Sequence, residues 1–120
     1  MLIMEKILLV EDLPIAQMLT KKLITDAGYE MVLAKTGEEA VALADNSYIL
    51  IVMDIGLPAP YGSEGGVRAT KEIRAKGVTV PIIGLTANAD EAIQALMKEA
   101  GANGCVSKPL DLEKLKKLIK

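Results

Sequence analysis

No histidine, no phenylalanine and no tryptophan occur in this chain of 120 residues, and cysteine occurs once. Each gap removes a class of chemistry. Without histidine there is no Ser-His or Cys-His nucleophile activation, no imidazole acid–base step and little basis for a zinc site. The single cysteine, Cys105, excludes an internal disulfide and a thiolate metal cage. With three tyrosines as its only aromatics, the chain has an aliphatic core and a poor base-stacking surface. A net charge of −2 gives no reason to expect direct contact with nucleic acid or an anionic membrane. No apolar run approaches the roughly 18 residues of a membrane span. The apolar start, Met1-Leu2-Ile3-Met4, lacks the charged beginning and cleavage site of a signal peptide. A cytoplasmic location and one domain over residues 1–120 are therefore expected. Its chemistry must run on carboxylates, hydroxyls, lysines and a hard metal ion.

What is present is a set of short apolar runs, each ending in a residue of chemical interest. Ile49-Leu50-Ile51-Val52-Met53-Asp54 is too short for a stable helix and reads as a strand buried on both faces. Gly56 and Pro58 stop regular structure just past Asp54. Lys6 to Val10 is a similar run ending at Glu11 and Asp12, with Pro14 placed for the first turn of a helix. In that helix Ala16, Leu19, Leu23 and Ala27 give an inward stripe, stopped at Gly28. Residues 29–34 form a weaker strand, and Thr36 with Glu39 has capping-box spacing for a second helix. After a Gly- and Pro-rich turn, residues 67–76 predict a third helix and residues 80–85 a fourth strand ending at Thr86. Ile93, Leu96, Met97 and Ala100 mark a fourth helix, and residues 104–107 a last strand ending at Lys108-Pro109. Asp111 caps a final helix with Leu112, Leu115 and Ile119 inward and Lys114, Lys116, Lys117 and Lys120 largely outward.

Five strand–helix alternations without hairpin signals predict an α/β fold: a five-stranded parallel sheet, doubly wound, in order 2-1-3-4-5 with five helices. In such sheets ligands bind beyond the carboxyl ends of the strands, at the switch point between strands one and three. Glu11, Asp12 and Asp54 flank that point, with Thr86 and Lys108 on the next two strands along. Three converging carboxylates call for a cation, and all-oxygen ligands select Mg²⁺ first, with Mn²⁺ and Ca²⁺ behind it. Three negative charges against the one on Lys108 leave −2, which a divalent ion neutralises. A neutral site admits a phosphoryl group, and Thr86 and Lys108 would steady its oxygens while Asp54 accepts it.

Together, Val10-Glu11-Asp12, Met53-Asp54-Ile55-Gly56-Leu57-Pro58, Leu85-Thr86-Ala87-Asn88-Ala89 and Lys108-Pro109 resemble the receiver domains of two-component response regulators and hybrid sensor histidine kinases. Glu11 and the Leu-Thr-Ala-Asn-Ala run look most like the hybrid-kinase group. The resemblance implies that Asp54 is the phosphoacceptor and that Asp12, Asp54 and the Gly56 backbone carbonyl bind Mg²⁺, with Glu11 reaching the metal directly or through water. It implies phosphate contacts from Thr86, the Ala87 backbone N–H and Lys108, and a cis Lys108-Pro109 bond. Its implied partners are a sensor histidine kinase or a histidine-phosphotransfer protein, and its parent could be a membrane-bound hybrid kinase with this domain in the cytoplasm. Such a domain supports its own Mg²⁺-dependent phosphotransfer and dephosphorylation. Three departures stand out. Glu11 replaces the commoner Asp, Cys105 replaces the usual aromatic three before the lysine, and the segment between Pro58 and Gly66 is about four residues longer than usual.

Blander readings exist for each residue alone: Asp54 as a turn acid, Glu11 and Asp12 as favourable charges at a helix start, Thr86 or Asn88 as an N-cap, Lys108 as a solvated side chain. Their joint placement at one end of one sheet argues for function. Cys105 reads best as a small apolar residue. Two other functions share the acids: an Mg²⁺-dependent aspartyl-phosphate phosphohydrolase, and a degenerate interaction module that is not phosphorylated. The hydrolase commonly carries a second Asp two after its nucleophile, where this chain has Gly56.

Overall fold

The computed structural model describes residues 4–119; residues 1–3, the first three of the apolar start, and Lys120, expected to point outward, lie outside them. The chain runs β1 (Lys6–Val10), α1 (Pro14–Asp26), β2 (Glu30–Ala34), α2 (Gly37–Leu43), β3 (Tyr48–Asp54), a 3-10 turn (Gly62–Glu64), α3 (Gly65–Ala75), β4 (Ile82–Thr86), α4 (Glu91–Ala100), β5 (Gly104–Ser107) and α5 (Leu112–Ile119). All neighbouring strands are parallel, in the predicted order β2-β1-β3-β4-β5. No described helix is long and apolar enough to cross a membrane.

Unbroken apolar runs form these strands because alternate residues feed two different cores. Ile7, Leu9, Leu50, Val52, Ile83 and Leu85 join Ile24 of α1 and Leu115 of α5 on one face. Leu8, Val10, Ile51, Met53 and Ile82 join Ala40 of α2, Ile73 of α3 and Met97 of α4 on the other. Nearly every side chain of β1 and β3 is therefore sealed from water, and their ends can hold acids at fixed positions.

The terminal signals act as expected. Pro14 opens α1. The Thr36 hydroxyl accepts from the Glu39 N–H at 3.1 Å, and Asp111 accepts from the Lys114 N–H at 2.8 Å. Gly28, Gly77 and Gly101 adopt the left-handed backbone that ends α1, α3 and α4. Two inward assignments are corrected. Leu19 is 68% exposed, and Ile24 is the fully buried residue of α1. Leu112 is 42% exposed, so α5 buries Leu115 and turns Leu112 to its edge.

Candidate functional site

β1 and β3 lie side by side, with Val10 paired to Met53, so the residues just beyond them meet. The Glu11 N–H donates to the Ala34 carbonyl at 3.0 Å, continuing the ladder past β1. This carries Glu11 into the interior, where it is 1% exposed; Asp54, at 6%, is nearly as sealed. Asp12 is half-buried. Carboxylate oxygens of Glu11, Asp12 and Asp54 all lie within 4.8 Å of one another. Glu11 also accepts from the Leu13 N–H at 3.3 Å, which fixes the turn into α1.

β4 and β5 bring the remaining groups. The Lys108 N–H donates to the Thr86 carbonyl at 2.7 Å, tying the two strand ends together. The Lys108 ammonium then reaches 3.3 Å from Asp54 Oδ1 and 3.4 Å from Glu11 Oε1. The Lys108-Pro109 peptide is cis, as is Ala59-Pro60, which the sequence did not announce. Thr86, Ala87 and Gly56 line the same cleft of about 570 Å³ with Asp12, Asp54 and Lys108. The side chain capping α4 is Asp90, accepting from the Ile93 N–H at 2.9 Å, so Thr86 and Asn88 do not serve that helix as N-caps.

The floor of the cleft is made by a close approach. A Cβ at Gly66 would collide with the Asp54 carbonyl and lie 2.8 Å from the Ile55 Cα. Its N–H donates to the Ile55 carbonyl at 2.7 Å. The start of α3 is thereby pressed against the backbone leaving β3, and the Asp54-Ile55-Gly56 turn is held from below. A larger groove, about 1090 Å³, lies between α1 and α5, lined by Leu19, Leu23, Tyr29 and Leu115 among others. It contains none of the clustered acids, whereas Asp12 and Asp54 line the smaller cleft.

Electrostatics follow from this geometry. Burial first, and then the hydrogen bond and charge of Glu11, push the Asp54 carboxyl up to about 7, against the downward pull of Lys108. Burial works against the Lys108 ammonium, but Asp54 and Glu11 outweigh it and hold Lys108 above its usual value. Three clustered carboxylates beside one ammonium, with oxygen donors alone, suit a hard divalent cation. The residues present fit such an ion. Burial also pushes the Cys105 thiol up; its sulfur lies 3.1 Å from where a Cβ of Gly84 would stand, beside Met97 and Ile55. Cys105 is thus a packing residue between β5 and α4.

Sequence reasoning did not place Leu13, Ser63, Asp90 or Ile93 on this wall. Leu13 follows the acidic pair directly. Ser63 arrives from the long segment after Pro58, whose length was legible but whose destination was not. In that segment the Tyr61 ring lies where any side chain at Gly37 would have to stand.

The response regulator receiver domain model matches residues 7–120. A sensor histidine kinase, RcsC of Salmonella typhi, is 33% identical over 94% of the chain, which spans only 12% of that protein. The two-component response regulator ARR22 of Arabidopsis thaliana is 38% identical, with 94% of this chain and 80% of that protein covered. Among solved structures, the receiver domain of sensor histidine kinase PA1611 from Pseudomonas aeruginosa, with magnesium coordinated in its active-site cleft, matches at TM-score 0.83 and 36% identity, covering 98% and 95% of the two chains. The receiver domain of Saccharomyces cerevisiae Ssk1, solved with the histidine phosphotransfer protein Ypd1, matches at TM-score 0.82 and 29% identity, covering 97% and 86%. The chain belongs to the response regulator receiver domain family of two-component signalling.

Proposed function

We propose that Asp54 accepts a phosphoryl group from a partner's phosphohistidine in a Mg²⁺-dependent reaction, and that the acyl phosphate changes what the domain binds. The observation that carries this reading is the position of the Lys108 ammonium, 3.3 Å from Asp54 Oδ1, at the edge of a three-carboxylate cluster. Asp12, Asp54 and the Gly56 carbonyl would hold the ion, with Glu11 direct or through water. When bound, it would neutralise the acids and draw charge from the phosphoryl oxygens.

The other steps belong to the chain. An Asp54 oxygen attacks phosphorus while the P–N bond of the donor breaks and its electron pair stays on the imidazole. Lys108 leaves its ion pair with Asp54 to follow the negative charge onto the phosphoryl oxygens. The Thr86 hydroxyl and the Ala87 N–H supply donors from the adjoining wall. Having no histidine, the chain carries no phosphohistidine donor of its own.

The donor must place its imidazole over the cleft, so it has to cover the rim. The rim beside Asp12 is the start of α1, where Leu13, Ile15, Met18 and Leu19 are all more than half exposed. An apolar surface contiguous with a charged cleft suits a phosphohistidine-bearing partner, a histidine-phosphotransfer domain or a sensor kinase. The reading is tested by incubation with Mg²⁺ and phosphoramidate, followed by intact mass. One phosphoryl adduct is expected on the native chain and none on Asp54→Asn; no adduct, or one that survives the substitution, overturns it.

A further inference from the structure

Lys114 stands where the rules of helix starts ask for a different residue. It is the third residue of α5, and its N–H donates to the capping Asp111 at 2.8 Å. A cation in the first turn faces the positive end of the helix dipole. Glutamate or glutamine is the favoured third residue, because it can reach back to the cap. Lys116 and Lys117 are exposed as expected, but Lys114 is half-buried. Its ammonium turns back onto the loop behind it, donating to the Ser107 carbonyl at 2.9 Å and to the Pro109 carbonyl at 3.2 Å. Those two carbonyls bracket Lys108.

We propose that Lys114 is a positioning residue for phosphoryl transfer, acting through Lys108, whose backbone it fixes by gripping the carbonyls on either side. The inference rests on the roles proposed for Asp54 and Lys108. Other contacts steady the same loop, and each leaves something for Lys114 to do. The Lys108 N–H donates to the Thr86 carbonyl at 2.7 Å, which holds one end of the Ser107–Lys108 peptide; Lys114 holds the carbonyl end. Leu110 packs against the core shared by α1 and α5, but it lies beyond Pro109. The Lys108 ammonium rests 3.3 Å from Asp54 and 3.4 Å from Glu11, and it leaves Asp54 during the transfer. A lysine side chain is a flexible four-carbon stem. Once its head has left the carboxylates, its aim is set by the backbone at its base. Lys114 is not among the residues lining the cleft, so its influence on the reacting oxygens passes through that backbone.

The experiment compares the native chain with Lys114→Met, Lys108→Met and the two combined. Each is phosphorylated with Mg²⁺ and phosphoramidate and followed by intact mass, and Mg²⁺ affinity is read by calorimetry. Lys114→Met slows phosphorylation by about three- to tenfold, because the cation is less well placed. It also tightens Mg²⁺ binding by about twofold, because Lys108 spends less time against Asp54. In the Lys108→Met background the same substitution changes each quantity by less than about 1.5-fold. Lys114→Glu guards against a folding defect: it gives α5 the start it prefers but has no donor for the two carbonyls. It slows phosphorylation at least as much as Lys114→Met, with a Tm within about 3 °C of native. A native rate in Lys114→Met overturns the positioning role, and so does an equal loss in both backgrounds, which is what removing a distant charge would give. Weaker Mg²⁺ binding in Lys114→Met also overturns it, since that marks a loosened site and not a released Lys108. Each of these leaves the acceptor role standing. If the native chain takes no adduct, both readings fall together.

Discussion

The Lys108 ammonium sits 3.3 Å from Asp54 Oδ1, although Asp54 ends β3 and Lys108 follows β5, with β4 between them. That contact makes two opposite predictions. In Lys108→Met the transferring oxygens lose a cationic partner, so phosphorylation by phosphoramidate slows by about 10²-fold. The same change removes the positive charge that competes with a metal, so Mg²⁺ binds more tightly, by roughly three- to tenfold. Calorimetry and intact mass on one preparation check both. A Lys108 that served only to stabilise the fold would shift neither in this crossed way.

Metal-free stability should fall as pH rises through neutrality. Asp54 is pushed up to about 7 from its ordinary 3.8 by burial and by Glu11. A group raised on folding contributes stability that is complete below its unfolded value and lost as pH climbs through its folded one. Thermal melts in EDTA should therefore give a lower Tm at about pH 8 than at about pH 5.5. Asp54→Asn flattens this slope and raises the metal-free Tm at about pH 8 by several degrees. Added Mg²⁺ restores the native chain at alkaline pH and has little effect on Asp54→Asn.

Gly66 and Gly56 should respond very differently to alanine. At Gly66 the added carbon meets the backbone of Asp54 and Ile55, so α3 must move away from β3. About 1–3 kcal/mol of stability is lost, with slower phosphorylation because the acceptor turn shifts. At Gly56 the nearest atom is 3.9 Å away, so Gly56→Ala unfolds within about 0.5 kcal/mol of the native chain. Chemical denaturation of both variants provides the comparison.

The α1 face separates partner docking from chemistry. Ile15 and Met18 are 74% and 71% exposed, so Ile15→Glu with Met18→Glu leaves the fold intact. Transfer from a phosphorylated histidine-phosphotransfer domain should drop at least about tenfold, while phosphorylation by phosphoramidate is unchanged. Equal loss with both donors would place these residues in the site rather than on a docking surface.

How much of this was legible depends on what fixes each feature. The strands and their terminal acids could be read because β1 and β3 are apolar on both faces and change character abruptly at Glu11 and Asp54. The inward face of α1 was misread at Leu19 because Ile15, Met18, Leu19, Leu23 and Ile24 surround the helix with apolar residues. Spacing then fits several faces, and packing against β1 and β3 selects the one through Ile24. Leu112 misled for a similar reason, lying at the first residue of α5, where only one side of the helix meets the sheet. The path of the segment after Pro58 was hidden because its anchor, Tyr61 over Gly37, is a contact between distant parts of the chain that no local pattern encodes.

That anchor makes positions 37 and 61 a matched pair. The ring has its seat only because residue 37 ends at its Cα, and α2, a helix of seven residues, is too short to hold its place without such cover. Either position altered alone is costly: Gly37→Ala drives a methyl into the ring, and Tyr61→Gly uncovers the helix start. Changed together, the methyl moves into the space the ring has left, and the double variant should lose less stability than the two single losses combined. The length of this loop is therefore tied to a glycine one strand earlier in sequence, and a chain that shortened the one would be released from needing the other.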